Sequence, residues 1–286
     1  MTWADPNELF PGKLLVLVPH MDDCVLGCGG MIAKIYDKER VNIIYATDGM
    51  KSPEPLFPWR DKVSPDLGQM RMQEARLAMG YLGVPQENIH FWVLPEGRLN
   101  QYIWTMHDLL IEFIDRLEPA HILVPFRYDR HVDHIALNRV ITRLYGQQMN
   151  EFELIEYFVY YQWRLLPMRD VRKYIYPQYL FRIDIADVSV KKRIALDFFR
   201  SQTTRFFAWQ TRPNLTPQLL DSVSQAPEFF LRFDSSIPGP KIFRSNATWI
   251  RVAHRLEPAL KRKKDQAVAV WRRGYSSIDH DRDGSK

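Results

Sequence analysis

The 286-residue chain has only two cysteines, Cys24 and Cys28, and both fall in one short stretch. Four positions apart, they are too few and too close for a disulfide framework, which favours a reducing compartment. Long apolar runs are also missing. The longest, such as Leu14 to Val18, fall far short of the ~20 residues a membrane-spanning helix needs. The opening residues Met1-Thr2-Trp3-Ala4-Asp5-Pro6 show no basic region followed by an apolar run, so no secretory signal is expected. There is no internal repeat and no linker. Charge of one sign does not dominate: 39 Lys+Arg against 34 Asp+Glu leave a net +5. The basic residues are spread along the chain, and the densest cluster, Lys261-Arg262-Lys263-Lys264, reads as a solvated helix end. Nucleic-acid binding is therefore not expected, whereas attraction to an anionic substrate such as a phosphorylated or uronic sugar stays open.

The hydrophobic fraction of 46% and the charged fraction of 26% are those of a globular protein. The chain is long enough to bury a sizeable core without staples. A soluble, cytoplasmic protein is expected, with no stable membrane insertion; its oligomeric state is left open, a homo-oligomer included.

Short apolar runs alternate with longer amphipathic ones. Strands are expected at Leu14–Val18, Val41–Thr47, Ile89–Leu94 and His121–Pro125, and helices at Gly30–Asp37, Gln69–Leu82, Ile103–Leu117 and His131–Tyr145. Gly83 is placed to cap the second helix. This alternation predicts an α/β fold: a mostly parallel sheet with helices on both faces and right-handed crossovers. The second half is less regular. Strands are expected at Ile155–Tyr161 and Tyr179–Ile185 and a helix at Val188–Ser201, with loop beyond Gln202. One domain over residues 1–274 is the simplest division, its core at about 13–145 with C-terminal elaboration. A polar, poorly ordered tail is expected over 275–286.

Two polar clusters each follow a strand. Pro19-His20-Met21-Asp22-Asp23-Cys24 comes directly after the first strand, and Asp129-Arg130-His131-Val132-Asp133-His134 just after the fourth. In an open parallel sheet, ligands bind outside the carboxyl ends of the strands, so clusters far apart in sequence can meet at one edge. The residue types suit zinc, which takes imidazole and carboxylate ligands and, in catalytic sites, keeps a position for water. His20, Asp23 and His134 would form a two-histidine, one-carboxylate set. Asp22 would lie beside the open position, where a carboxylate can take a proton from water. His131, one turn from His134, could stabilise an oxyanion or protonate a leaving amine, with Asp133 orienting it. Each residue also has a plainer reading. A histidine at a strand end is more often a hydrogen-bonded loop residue, and Asp22 or Asp23 could simply cap the next helix. Gly27, Gly29 and Gly30 lack the G-x-G-x-x-G spacing of a dinucleotide site, and close helix–sheet packing explains them better.

Residues 19–30, Pro-His-Met-Asp-Asp-Cys-Val-Leu-Gly-Cys-Gly-Gly, resemble the P-H-P-D-D-E-x-x-G-x-G-G signature of the LmbE-like, or PIG-L, de-N-acetylases. His131-Val132-Asp133-His134 resembles that family's H-P-D-H. Thr47-Asp48-Gly49, Arg71-Met72-Gln73-Glu74, Leu82-Gly83-Val84 and Leu94-Pro95-Glu96-Gly97 match its intervening motifs in order, so the resemblance covers residues 13–145. Lys192 to Gln202 is more loosely similar to a later family helix. The resemblance implies a Rossmann-like fold, zinc, and hydrolysis of an N-acetyl or related N-acyl group. It implies His20, Asp23 and His134 as ligands, Asp22 as general base, His131 as oxyanion stabiliser and Asp133 as its partner. It also implies Arg71 and Arg130 near the substrate. Met21 and Val132 depart from the family's prolines and Cys24 from its glutamate, which puts the surroundings of the ligands in doubt. Three readings follow: an N-deacetylase acting on an amino sugar or small conjugate, an amidase cleaving a larger amide such as a thiol conjugate, or a metal-binding protein without turnover. An N-acetyl amino sugar is the expected substrate. Phe57, Trp59 and Arg60 after the second strand, and Phe126, Arg127 and Tyr128 after the fourth, are candidates to line its site, with core or interface packing as the alternative.

Overall fold

The computed structural model describes residues 2–53, 55, 57, 62–147, 152–160, 170–225 and 227–234, and scattered residues between 252 and 270. The expected tail at 275–286 lies outside the described residues, as do Trp59 and Arg60.

Among these residues the chain forms strands β1 (Thr2–Trp3), β2 (Leu14–Val18), β3 (Val41–Thr47), β4 (Ile89–Leu94), β5 (His121–Pro125), β6 (Glu153–Tyr157), β7 (Leu180–Ile183) and β8 (Glu228–Arg232). The helices are α1 (Pro6–Leu9), α2 (Asp23–Lys34), α3 (Leu67–Leu82), α4 (Ile103–Leu117), α5 (Val132–Gln147), α6 (Ser189–Asp197), α7 (Arg200–Thr203) and α8 (Pro217–Gln225). One sheet runs in the order β1-β7-β8-β6-β5-β2-β3-β4. Only β8 is reversed, antiparallel to both its neighbours. The expected α/β architecture with a mostly parallel sheet is the one observed.

Every residue of β2 is buried, because both faces of the sheet are covered. Leu14, Val16 and Val18 pack with α2, α3, α6 and α8, while Leu15 and Leu17 pack with α4 and α5. From β2 the chain steps one way to β3 and β4, then crosses back to pair β5 with the other edge of β2. The strand order therefore reverses between β2 and β5, and a crevice opens at their carboxyl ends.

The first-half strands and α4 lie where expected, and Gly83 caps α3 with φ +99°. Helix α2 begins seven residues before the expected Gly30 and ends at Lys34. Its glycines answer to packing. A Cβ on Gly27 would come within 2.5 Å of the Tyr157 ring, and one on Gly30 within 2.5 Å of Ile185. The helix thus gains close contact with β6 and the chain after β7, which offsets the low helix propensity of glycine. Beyond Gln202, where only loop was expected, the chain forms α8 and β8.

Candidate active site

The crevice between β2 and β5 is where both polar clusters arrive. His20 leaves the end of β2, and its backbone N–H donates to Asp23 Oδ2 at 2.9 Å, closing a tight turn into α2. His134 lies in the first turn of α5, which starts at Val132. Three side-chain atoms converge there. His20 Nδ1 is 2.8 Å from Asp23 Oδ2, Asp23 Oδ2 is 3.0 Å from His134 Nε2, and His134 Nε2 is 3.2 Å from His20 Nδ1. A tetrahedral ion with ligands at about 2.0–2.2 Å spaces its donors roughly 3.3–3.6 Å apart, so small outward movements would admit one. Among the described residues Asp23 Oδ1 is buried without a hydrogen-bond partner, an acceptor left over for a cation. The residues present therefore fit a divalent ion.

The other ring nitrogens are braced. His20 Nε2 faces Asp133 Oδ2 at 3.2 Å, and His134 Nδ1 faces Asp129 Oδ2 at 3.3 Å. Carboxylates behind histidines fix ring orientation and raise the basicity of the nitrogen in front. Asp133 is itself anchored, accepting from Gly97 N at 2.6 Å and Leu99 N at 3.0 Å. It is 3.9 Å from His131 Nδ1, so its carboxylate serves His20 more closely than the His131 it was expected to orient. Its backbone N–H makes the contact with His131, donating to Nδ1 at 3.2 Å. That assigns the proton of a neutral His131 ring to Nε2, the nitrogen free to donate.

His131 also belongs to a second ligand set. One ring nitrogen each from His20, His131 and His134 lie within 4.8 Å of one another, a group able to hold a metal. The rings of His20 and His131 meet edge to face at 4.3 Å.

Four carboxylates surround these imidazoles. Burial opposes the charge on Asp23, yet His134 and His20 hold its carboxyl well below the usual range. Burial likewise opposes protonation of His134, but Asp23 and Asp129 raise it to about 9, and His20 is raised in the same way by Asp23 and Asp133. The pocket thus favours positive charge at its centre. His131 goes the other way: burial and the charges on His20 and His134 push it well below its ordinary value, so it stays neutral. Asp22 is raised to about 7 by burial and by neighbouring Asp23. It stands at the N-cap position of α2 but makes no side-chain capping bond, so helix capping does not account for it.

Arg71 is buried under the loop after β3. It donates to the Gly49 carbonyl, to Ser201 Oγ at 3.3 Å, and lies 3.8 Å from Glu96. Its Nη2 has no hydrogen-bond partner among the described residues. Arg130 is half-buried over the Tyr160 ring at 4.0 Å, and Tyr160 lies nearly parallel to the His134 ring at 5.9 Å. Cys24 points into the core beside α2 and its Sγ lies 3.9 Å from that of Cys28, both thiols free.

Two expectations are corrected. Phe126 is buried against Phe158, ring centroids 4.6 Å apart, and Arg127 pairs with the buried Glu156 at 2.7 Å, so both brace the sheet rather than line the pocket. Asp129 and Tyr160 were missed. Asp129 lies within the second polar cluster, where a second carboxylate, five residues before a ligand histidine, was the available signal. Nothing in the sequence around Tyr160 marks it.

Residues 15–145 match the family model described as PIG-L, GlcNAc-PI de-N-acetylase. The chain is 28% identical over 127 residues to the diacetylchitobiose deacetylase of Thermococcus kodakarensis, an alignment covering 43% of this chain and 45% of that protein. The chain is thus aligned with less than half the length of that relative. Its fold is similar to a conserved protein of Thermus thermophilus, with TM-score 0.52 and 22% identity over 79% of this chain and 96% of the other. It is also similar to the N,N'-diacetylchitobiose deacetylase of Pyrococcus horikoshii, with TM-score 0.51 and 21% identity over 72% of this chain and 75% of the other. Both likenesses extend well beyond residues 15–145. Among the described residues no helix is long and apolar enough to cross a membrane.

Proposed function

We propose that this protein is a zinc-dependent N-deacetylase that removes the acetyl group from an N-acetyl amino sugar or a small conjugate of one. The observation that carries this reading is the convergence of His20 Nδ1, Asp23 Oδ2 and His134 Nε2 within 3.2 Å at the reversal of strand order. The PIG-L match over residues 15–145, and the names of the relatives, support the N-acetyl substrate. His20, Asp23 and His134 are the ligands in this reading. A bound zinc would supply a Lewis acid and lower the pKa of a water towards neutrality. Asp22, with a pKa of about 7, takes the proton of the attacking water and delivers it to the departing nitrogen. His131, neutral and protonated on Nε2, donates to the oxygen that gains charge as the carbonyl becomes tetrahedral. Asp133 and Asp129 hold His20 and His134 in place. Arg130, on the pocket wall over Tyr160, contacts the sugar, and Arg71 holds the loop after β3 against it. Strands from both halves share one sheet, which supports reading residues 1–274 as one domain.

The test is acetate release from N-acetylglucosamine derivatives, with N-acetylated amino acids and acyl thiol conjugates as competitors. Turnover should be confined to the sugars and abolished by a chelator. The Asp22→Asn variant should keep its zinc and lose at least ~100-fold in kcat. Chelator-resistant turnover would remove the metal from the scheme, and release from the amino acids or thiol conjugates alone would remove the sugar.

A further inference from the structure

The segment between α7 and α8 carries three aromatic side chains close together. Phe207 and Trp209 are stacked, with ring centroids 5.2 Å apart and an interplanar angle of 6°, and Phe206 stands edge-on to Phe207 at 5.1 Å. Phe206 is 37% exposed, and the other two are partly exposed. The buried Gln210 shapes this loop from below. Its backbone N–H donates to the Phe207 carbonyl at 2.9 Å, its Oε1 accepts from Phe207 N at 2.7 Å, and its own carbonyl accepts from Arg205 Nε at 3.0 Å. A buried polar side chain thus holds apolar rings at the surface, opposing the burial that would otherwise favour them.

The loop is tied to the active site. Trp209 Nε1 donates to the Lys62 carbonyl at 3.2 Å, and Asn214 Nδ2 donates to Ser52 Oγ at 3.3 Å, both in the loop after β3. The Ser52 N–H donates to Glu96 Oε2 at 3.3 Å. The next residue, Gly97, donates through its N–H to Asp133, whose carboxylate faces His20. A few hydrogen bonds therefore connect the aromatic loop's segment to a proposed metal ligand.

We propose that Phe206, Phe207 and Trp209 form a distal subsite that receives a second ring, a pyranose linked to the amino sugar that is deacetylated. The inference rests on the N-deacetylase reading above. Flat, rigid rings offer large apolar area to the C–H face of a sugar, and the guanidinium of the neighbouring exposed Arg205 offers donors to its hydroxyls. A lipid acyl chain would call for a continuous apolar groove, whereas here the rings are interleaved with hydrogen-bonding groups.

The experiment compares kcat/KM for N,N'-diacetylchitobiose with that for N-acetylglucosamine in wild type, Trp209→Ala, Phe207→Ala and Trp209→Phe. Disaccharide binding to the Asp22→Asn protein, with and without Trp209→Ala, is measured by calorimetry. The disaccharide-to-monosaccharide ratio should fall ~10-fold or more in the alanine variants through KM, with a parallel loss of disaccharide affinity, the scale of a lost aromatic contact. Trp209→Phe should restore most of the ratio, which a defect in folding alone would not produce. An unchanged ratio with disaccharide turnover intact would overturn the subsite. If Asp22→Asn binds the disaccharide through Trp209 while wild type releases no acetate, the subsite stands and the assigned reaction fails. If wild type turns over neither sugar and the variant binds neither, both are lost.

Discussion

Two groups of buried charge lie along the single helix α2, and they are finished differently. In the middle of the helix, Glu228 from β8 accepts the N–H groups of Gly30 and Met31 at 2.7 and 2.6 Å. Lys192 from α6 donates to the Leu26 carbonyl, the Val223 carbonyl and Glu228, all within 2.9 Å. Both side chains are fully buried, and each charge is answered by its partner and by backbone. At the start of the same helix Asp23 is just as deep and Asp22 is also buried, yet among the described residues Asp23 Oδ1 has no partner and Asp22 makes no capping bond. Interiors ordinarily satisfy buried polar groups. A charge cluster satisfied from all sides is a fastening, and one left with acceptors to spare is built to receive something. The C-terminal half supplies the fastening, and the first half supplies the unfinished cluster.

Substitution should separate the two. The largest effect is expected at the ligands. His134→Ala should reduce zinc from about one ion per chain to near zero and abolish acetate release, while the thermal unfolding of the metal-free protein changes little. His131→Ala should keep the ion and lose roughly 100- to 1,000-fold in kcat, the scale of a lost oxyanion donor. Elemental analysis of both proteins decides between the two ligand sets: an ion lost from His131→Ala as completely as from His134→Ala would make the three-histidine group the metal centre.

At the fastening the pattern should invert. Lys192→Met leaves the Glu228 carboxylate buried without its counter-charge, a loss of about 3–5 kcal/mol. The further change Glu228→Gln should recover part of it, because a neutral amide needs no cation. Urea unfolding measures both, and a loss under about 1 kcal/mol for Lys192→Met would show that the pair is no fastening. Zinc content of the folded fraction should stay near one.

The same contrast sets what could be read from the sequence. The strands of the first half are short apolar runs between amphipathic helices, and the unfinished cluster is compressed into His20 to Asp23 and Asp129 to His134. Local patterning therefore carries both. The fastening joins Lys192 to Glu228, 36 residues apart, and its meaning depends on a helix another 160 residues upstream. No spacing rule links such residues, and β8 is reversed in the sheet, so the alternation that announces a parallel α/β unit fails there. Helix α2 was expected to begin at Gly30 and begins at Asp23; close helix–sheet packing was legible from its glycines, but that Tyr157 and Ile185 are the side chains they admit is tertiary. Phe126 and Arg127 suited a sugar site by type, but their neighbours Phe158 and Glu156 come from β6 and the chain beyond it.

The smallest effect is expected at Cys24, which tests where one group ends and the other begins. It follows the proposed ligand Asp23 directly, and zinc accepts thiolate as readily as carboxylate. Its side chain, however, is packed among the apolar residues between α2 and the sheet, with Cys28 one turn on. By that placement Cys24 belongs to the core and not to the metal. Cys24→Ser should therefore leave zinc stoichiometry and chelator sensitivity unchanged. It puts a hydroxyl into an apolar setting, where a missing partner costs about 1–3 kcal/mol, less if the hydroxyl turns back onto a carbonyl of its own helix. Unfolding should thus shift modestly while metal analysis does not. Loss of zinc from Cys24→Ser would move the boundary of the metal centre one residue into α2 and make the residue at this position a ligand.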